Sequence, residues 1–149
     1  MKKNYSLINS IATCMLAYIF TIPLHEFFHM ATCWIYGDTV LCFSAGAVDA
    51  IKSDYSQMST FDVIMDAGGS ASILNAIIAI ILIIILLKVN MGPTMRMFLT
   101  QLMGAHFAEG IGYFMIGGFF GAGDWGSVFE ALRIDALPPA SIITSNVDI

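Results

Sequence analysis

The apolar residues of this chain fall into three long blocks, which are separated by short segments rich in polar residues, glycine and proline. The blocks predict helices over residues about 7–36, 60–89 and 94–120. At a rise of about 1.5 Å per residue, each helix is long enough to cross a hydrocarbon core about 30 Å thick. The pattern therefore predicts an all-α polytopic membrane protein with three transmembrane helices, folded as a single domain over residues 1–149.

Shorter patterns occupy the rest of the chain. Residues 39–52 contain β-prone runs around Gly46, which is typical of a β-hairpin, and the flanking helices place this hairpin at the membrane surface. A short amphipathic helix is predicted over about 126–134, followed by a polar tail over 135–149. Pro23 removes a backbone hydrogen bond within the first block, and this predicts a kink in the first helix.

The composition strengthens the membrane interpretation. Apolar residues make up 58% of the chain and charged residues 11%, against about 25% charged residues in an ordinary soluble domain. We therefore expect an integral, multi-pass membrane protein, such as one of a prokaryotic cell membrane. The net charge is −5 and there is no basic patch, so nucleic acid is not an expected partner. The three cysteines have no C-x-x-C spacing and indicate apolar packing rather than a disulfide framework.

A polar cluster lies inside the first apolar block. His25, Glu26 and His29 form an H-E-x-x-H motif. On a helix, this spacing places the two imidazoles one turn apart on one face, where both can bind a single zinc ion. Glu26 can then accept a proton from water at the metal. Because each ionisable residue in a membrane helix costs about 2.5–3.5 kcal/mol if uncompensated, a purely structural explanation of the motif is disfavoured.

A catalytic zinc site needs a third protein ligand and one position for water. Five residues within reach of the motif are candidates: Asp124, Glu109, His106, Asp66 and Cys33. Asp124 is favoured because it follows a glycine-rich segment, residues 117–123, which lets the backbone turn back toward the metal. Glu109 remains the alternative third ligand, and Cys33 is better explained as a buried packing residue.

Other polar or small residues are candidates for orienting the ligands or contacting substrate. Gly68, Gly69 and Asn75 occur early in the second predicted helix, where small residues allow another helix to approach closely. His106 and Glu109 lie three residues apart in the third predicted helix and can face the protein interior together. Ordinary helix packing and structural polar contacts are the alternative explanations for these residues.

A three-pass arrangement places the second half of the first helix, the start of the second and the end of the third in the same half of the bilayer. The motif, the small residues and Asp124 are therefore expected to meet there. Bases are concentrated on the opposite side, at Lys2, Lys3, Lys88 and Arg96. By the positive-inside rule, this distribution predicts that the N-terminus lies in the cytoplasm.

Taken together, these motifs resemble the site-2 protease family of intramembrane zinc metalloproteases over roughly residues 11–130. His25-Glu26-Phe27-Phe28-His29 is similar to the family's zinc-and-base motif. Ala67-Gly68-Gly69, with Asn75 after it, resembles the Ala-Gly-Pro segment of the family's next core helix, with Gly69 at the common proline. Gly123-Asp124-Trp125 resembles the Leu-Asp-Gly segment that supplies the third ligand.

The resemblance implies a minimal three-helix core that binds one catalytic Zn²⁺. It also implies hydrolysis of peptide bonds in membrane-spanning or membrane-associated substrates, with Glu26 as general base. The family often opens its site toward the cytosol, whereas the charge distribution points the other way. Two alternatives stay open: a non-proteolytic zinc-binding membrane scaffold, and a subunit that works only with a partner membrane protein.

Overall fold

The computed structural model describes residues 3–121 and 123–132. The polar tail and the last two residues of the predicted amphipathic helix, 133 and 134, lie outside these residues. The described part is mostly helical and carries one two-stranded antiparallel hairpin, so the predicted helical class and the predicted hairpin are both confirmed.

Three long helical runs, a hairpin and two short helices form the described part of the chain. The first run is a single helix, and the second and third each contain a π-helical turn. The elements, in chain order, are α1 (Lys3–Tyr36), β1 (Thr39–Ser44), β2 (Ala47–Ile51), a 3₁₀ helix (Tyr55–Gln57), α2 (Thr60–Ile64), a π-helical turn (Met65–Gly69), α3 (Ser70–Lys88), α4 (Pro93–Phe107), a second π-helical turn (Ala108–Gly112), α5 (Tyr113–Phe120) and α6 (Gly123–Ala131).

The boundaries of the runs follow from local chemistry. Gly37 adopts a left-handed conformation (φ 81°) just beyond α1, which is the usual way to end a helix. Ser59 caps α2 by accepting a hydrogen bond from the Asp62 backbone. Pro93 begins α4, where its missing N–H is not needed. The helix α1 continues through Pro23 as one element.

The π-helical turns are a difference from the sequence prediction, which has uninterrupted helices in both places. Gly68, with φ of 145°, is non-helical inside the first of these turns, and only glycine adopts that conformation at low cost. In the second turn, a Cβ added to Gly110 would lie 2.8 Å from the Ala76 backbone nitrogen. The glycine therefore lets this turn approach α3 more closely than any other residue would.

Within the described residues, two helical runs are long and apolar enough to cross a membrane: Leu7–Tyr36 and Thr60–Lys88. Only 11% and 33% of their most apolar windows are buried in the protein, so they are not core helices of the soluble kind. Large apolar side chains such as Ile19, Ile80 and Leu87 are exposed along both runs, which is typical of helices that face lipid. The third predicted span, 94–120, does not meet the same criterion and stays a prediction.

The helices α1, α3 and α4 pack against one another. Small side chains line this contact, among them Ala17, Ala71, Ala79 and Ala105, all nearly inaccessible to solvent. Gln101 of α4 also donates hydrogen bonds to the backbone and side chain of Ser10 in α1. Transmembrane helices associate in this way, because lipid provides no hydrophobic driving force and close backbone approach and interhelical hydrogen bonds take its place.

The hairpin lies against the C-terminal half of α1. Thr39 pairs with Ile51 and Ser44 with Ala47, and a bulge interrupts the register between Val40 and Cys42. Ser53, just after β2, donates hydrogen bonds of 2.8 Å from both its backbone and its hydroxyl to the Asp38 carboxylate. The base of the hairpin is thus tied to the end of α1.

Lys52 ties the hairpin to the helices. Its ammonium lies 3.0 Å from Asp38, 3.1 Å from the Asp66 carboxylate and 3.4 Å from the Cys33 sulfur. Burial opposes the charge of Lys52, but hydrogen bonds and charges from the two carboxylates outweigh it and raise the lysine pKa. Burial likewise opposes the charge of Asp38, and hydrogen bonds from Ser53 and Lys52 outweigh it and lower the pKa of that carboxyl.

Replacing Lys52 with methionine is expected to destabilise the protein by about 2–3 kcal/mol. The substitution leaves two carboxylates buried without their cation, which costs about 3–5 kcal/mol in a fully buried pair. The cost is reduced here because 37% of the Lys52 side chain is exposed. Thermal unfolding in detergent measures the effect, and Lys88→Met, at the exposed end of α3, is the control.

The stability difference between wild type and Lys52→Met is expected to depend on pH. A carboxylate whose folded pKa is lowered stabilises the fold above its ordinary pKa, 3.8 for Asp38, and loses that contribution as the pH falls further. The difference between wild type and Lys52→Met should shrink as the pH falls, and the decline should begin above pH 3.8, because the buried carboxylates that the variant leaves without a cation are protonated more readily than exposed ones. A difference that stays the same in acid would contradict the ion-pair explanation.

Candidate metal centre

Three potential metal ligands converge at one point of the fold. The Nε2 atoms of His25 and His29 lie 3.0 Å apart. Asp124 approaches both, with one carboxylate oxygen 2.9 Å from His25 Nε2 and the other 3.2 Å from His29 Nε2. All three side chains are largely buried, with exposures of 5%, 16% and 18%. Such a group of two imidazoles and a carboxylate can hold a metal ion.

Two different features of the sequence bring these ligands together. The histidines are four residues apart on α1, so helix geometry places them on one face. Asp124 is the second residue of α6 and follows two left-handed glycines, Gly121 (φ 62°) and Gly123 (φ 67°). These glycines reverse the chain at the end of α5, and Asp124 reaches the histidines from the returning segment. The backbone reversal that was predicted from the glycine-rich segment is thus present.

The backbone of Asp124 rests on the first π-helical turn. A Cβ added to Gly68 would lie 2.8 Å from the Asp124 carbonyl oxygen and 3.0 Å from its α-carbon. Ser72, one turn further along, donates a hydrogen bond of 3.4 Å to the Asp124 carboxylate. The position of the carboxylate is therefore set by α3 as well as by α6. Gly69, by contrast, packs against Ile64, the last residue of α2.

Gly68→Ala is expected to weaken metal binding without unfolding the helices. The added methyl meets backbone atoms of Asp124, which cannot move as a flexible side chain would, and φ of 145° is itself unfavourable for alanine. We expect a metal affinity lower by about 10–100-fold, the range seen when the support of a ligand is removed. Equilibrium metal titration measures this. Gly104→Ala, whose methyl would meet nothing within 4 Å, should leave the affinity unchanged.

The ligand group opens onto a cavity of about 510 Å³. Its wall includes all three ligands, Glu26, Tyr113 and residues 46–50 of the hairpin. Glu26 is half-buried, and no side chain of the described residues donates a hydrogen bond to its carboxylate. A carboxylate beside the ligands that faces a cavity and is not engaged elsewhere is free to exchange a proton with water.

Behind the ligands lies a buried polar network. Asn75, which is fully buried, places its side-chain nitrogen 2.7 Å from His25 Nδ1 and 2.9 Å from the Ala71 carbonyl oxygen. Its side-chain oxygen contacts Nδ1 of His106, which is 2% exposed. Asn75 therefore contacts a candidate ligand directly, on the side of the ring that faces away from the cavity.

The remaining candidates lie outside the ligand group. Glu109 is half-buried in the second π-helical turn and does not belong to the ligand group. Cys33 and Asp66 lie with Asp38 in a second group of possible ligand atoms, around Lys52. Because the lysine ammonium already provides a positive charge among those atoms, this second group is explained as an ion-pair cluster.

Two neighbours of the ligands were not predicted from the sequence. The ring of Tyr113 stacks on His25, with centroids 5.9 Å apart, and lies against Gly123. Ser72 contacts Asp124. A signal for Ser72 exists, since it lies three residues before Asn75 and shares its helix face. Tyr113 follows the second π-helical turn, which shifts the helix face, and no signal in the sequence places it beside His25.

Comparison with known proteins finds no match for this chain among protein-family models, curated proteins or solved structures. The resemblance to the site-2 protease family therefore stays a prediction.

Proposed function

We propose that this protein is an intramembrane zinc metalloprotease. The observation that carries the proposal is the convergence of His25, His29 and Asp124 on one point, with the free carboxylate of Glu26 on the wall of the adjoining cavity. Two imidazoles, one carboxylate and an open side form the donor set of a catalytic zinc site, whereas a structural zinc site is closed by four protein ligands.

The distances among the ligand atoms are compatible with a zinc ion. At Zn–N distances of about 2.0–2.1 Å, a tetrahedral ion holds its ligand atoms about 3.3 Å from one another. The three separations in the protein, 3.0, 2.9 and 3.2 Å, are slightly shorter than this value. Small outward shifts of the three side chains would therefore suffice to accept the ion.

When bound, zinc would supply Lewis-acid chemistry, polarising the scissile carbonyl and lowering the pKa of water at the site. Glu26 accepts the proton of the attacking water and passes it to the amine that leaves, as a general base and then a general acid. His25, His29 and Asp124 hold the site in place, and Ser72 and the Gly68 backbone fix the orientation of Asp124.

The hairpin provides a place for an extended peptide. Within the described residues, β2 pairs along one edge only, with β1, and residues 46–50 line the same cavity as the ligands. A peptide in extended conformation can add to an unpaired strand edge through backbone hydrogen bonds. We assign this role to β2, because a helical substrate hides its carbonyl groups and must be unwound before cleavage.

The two candidate membrane spans support a membrane setting for the site. The proposal adds the run formed by α4, the second π-helical turn and α5 as a third span, which closes the site from the other side. Substrates are then membrane-spanning or membrane-associated proteins or peptides.

The proposal is tested by zinc analysis and cleavage together. Protein purified without chelator should contain one zinc ion per chain and cleave at least one member of a library of single-span substrates. Treatment with a chelator should stop cleavage, and added zinc should restore it. A stoichiometric zinc ion without cleavage of any substrate would favour a zinc-binding scaffold, and absence of zinc would overturn the metal site itself. Co-purification of a second chain that is required for cleavage would identify a subunit of a complex.

A further inference from the structure

Tyr113 is the first residue of α5, and its ring is held against two segments that carry ligands. The ring stacks on His25, with centroids 5.9 Å apart and planes inclined by 28°. A Cβ added to Gly123 would lie 2.6 Å from the Cδ1 atom of the tyrosine and 2.8 Å from its Cε1 atom. The ring therefore also packs on the backbone that directly precedes Asp124, and these contacts fix its position relative to the ligand group.

The hydroxyl of Tyr113 is available for another partner. Within the described residues it makes no hydrogen bond, and it is not one of the buried polar atoms that lack a partner, so it is accessible. Tyr113 lines the same cavity of about 510 Å³ as the three ligands and Glu26. Because the ring packs on His25 and Gly123, the accessible hydroxyl is the part of the side chain that a molecule in this cavity can reach.

Other donor side chains on the cavity wall are less well placed. The ammonium of Lys52 is paired with two carboxylates, and the Cys33 thiol, a weak donor, lies against that ammonium. Lys52 and Ser127 also line a neighbouring cavity of about 350 Å³, whose wall includes neither Tyr113 nor the ligands. Among these donors of the described wall, Tyr113 alone is stacked on a ligand.

Peptide hydrolysis requires a donor beside the ligands. When water adds to the scissile carbonyl, its oxygen bonds to the carbonyl carbon, its proton passes to Glu26 and the π electrons of the C=O bond move to the carbonyl oxygen. Donors that are already in position stabilise the negative charge on that oxygen. Glu26 and Asp124 are themselves carboxylates, so the stabilising group must not add negative charge. A phenol meets this condition, because it keeps its proton at neutral pH.

We propose that Tyr113 is a catalytic residue, which donates a hydrogen bond to the carbonyl oxygen of the scissile bond as negative charge develops there. The inference deepens the proposed function and rests on it. The competing explanation is a ring that only packs against His25 and Gly123. Phenylalanine would pack in the same way, so the two explanations differ in what the hydroxyl does.

Tyr113→Phe tests the inference, because it removes the hydroxyl and keeps the ring. We expect kcat to fall by about 10²–10³-fold, as when one donor to the developing oxyanion is removed. KM and zinc affinity should stay within about two-fold of wild type, because the hydrogen bond forms in the transition state and not to the metal. Cleavage of a single-span substrate and competition with a chromophoric chelator measure these quantities. Tyr18→Phe, which removes an exposed hydroxyl from α1, is the matched control and should change none of them.

A phosphinic peptide with the sequence of the cleaved substrate gives a readout that does not depend on turnover. It carries a tetrahedral, negatively charged group in place of the scissile carbonyl. Its affinity should fall in Tyr113→Phe by about the same factor as kcat/KM, since both report binding of the transition state.

A kcat or a phosphinic-peptide affinity within about two-fold of wild type would overturn the inference and leave Tyr113 as a packing residue. A loss confined to KM, or a loss of zinc affinity as large as the loss of kcat, would also overturn it, because the hydroxyl would then act on the bound substrate or on the metal site. All of these outcomes leave the proposed function standing. A wild-type protein that cleaves no substrate would overturn the proposed function and the inference together.

Discussion

Glu26→Gln is expected to retain one zinc ion per chain and to cleave membrane substrates about 10²–10⁴-fold more slowly, or not measurably, since general acid–base catalysis contributes that much. Glutamine has nearly the same size as glutamate but cannot accept a proton at neutral pH. Glu26 is not one of the three ligands, and its carboxylate faces the cavity beside them. The substitution therefore removes the base and leaves the donor atoms in place.

The measurement pairs zinc content with initial cleavage rates on the same preparation. Glu130→Gln, which removes an exposed carboxylate from α6, is the matched control and should keep both. Normal cleavage by Glu26→Gln would show that another group accepts the proton and that the mechanism is wrong. Loss of zinc together with activity would place Glu26 among the groups that hold the metal.

The candidate ligands were predictable to different degrees. His25 and His29 are four residues apart on a long helix, so helix periodicity alone places their rings together. The meeting with Asp124 is a contact across about 100 residues of chain, and it was predicted only as far as a glycine-rich segment indicates a reversal. The reversal is present at Gly121 and Gly123, whose positive φ angles are tolerated in glycine.

The π-helical turns could not be predicted from hydrophobic periodicity, because both helical runs remain predominantly apolar on either side of them. They depend on tertiary packing. Gly68 is non-helical where it contacts the Asp124 backbone, and Gly110 lies against α3. These turns also decide which residues meet. Asn75 and His106 were both candidates, yet their contact, and the stacking of Tyr113 on His25, depend on a shift of helix face that no local pattern indicates.

The hairpin is an intermediate case. The β-prone residues around Gly46 predict the hairpin, because a chain reversal at that point lets the backbone groups of the two neighbouring runs hydrogen-bond to each other. The bulge between Val40 and Cys42 was not predictable, because register depends on what the strands pack against. Lys52 was similarly ambiguous. In the sequence it is one base on an acidic side of the protein, and only the fold places it between Asp38 and Asp66.

Asp124→Asn is expected to lose metal binding and, with it, all cleavage. The carboxylate approaches both histidines, through one oxygen each, so its charge and both of its oxygens contribute to the site. Asparagine keeps the shape but is neutral and offers a single weak donor oxygen. Removing an outer partner of a ligand typically costs 10–100-fold in metal affinity, and loss of a ligand itself should cost more than about 100-fold.

Glu109→Gln provides the decisive comparison, because Glu109 is the alternative third ligand on sequence grounds. It lies in the second π-helical turn, outside the ligand group, so its substitution should leave zinc content unchanged. Zinc titration of both variants, with circular dichroism to confirm that the helices are retained, separates the two possibilities. If Glu109→Gln lost zinc and Asp124→Asn kept it, the third ligand would be Glu109 in the second π-helical turn. The glycine-flanked reversal that positions Asp124 would then have no part in binding the metal.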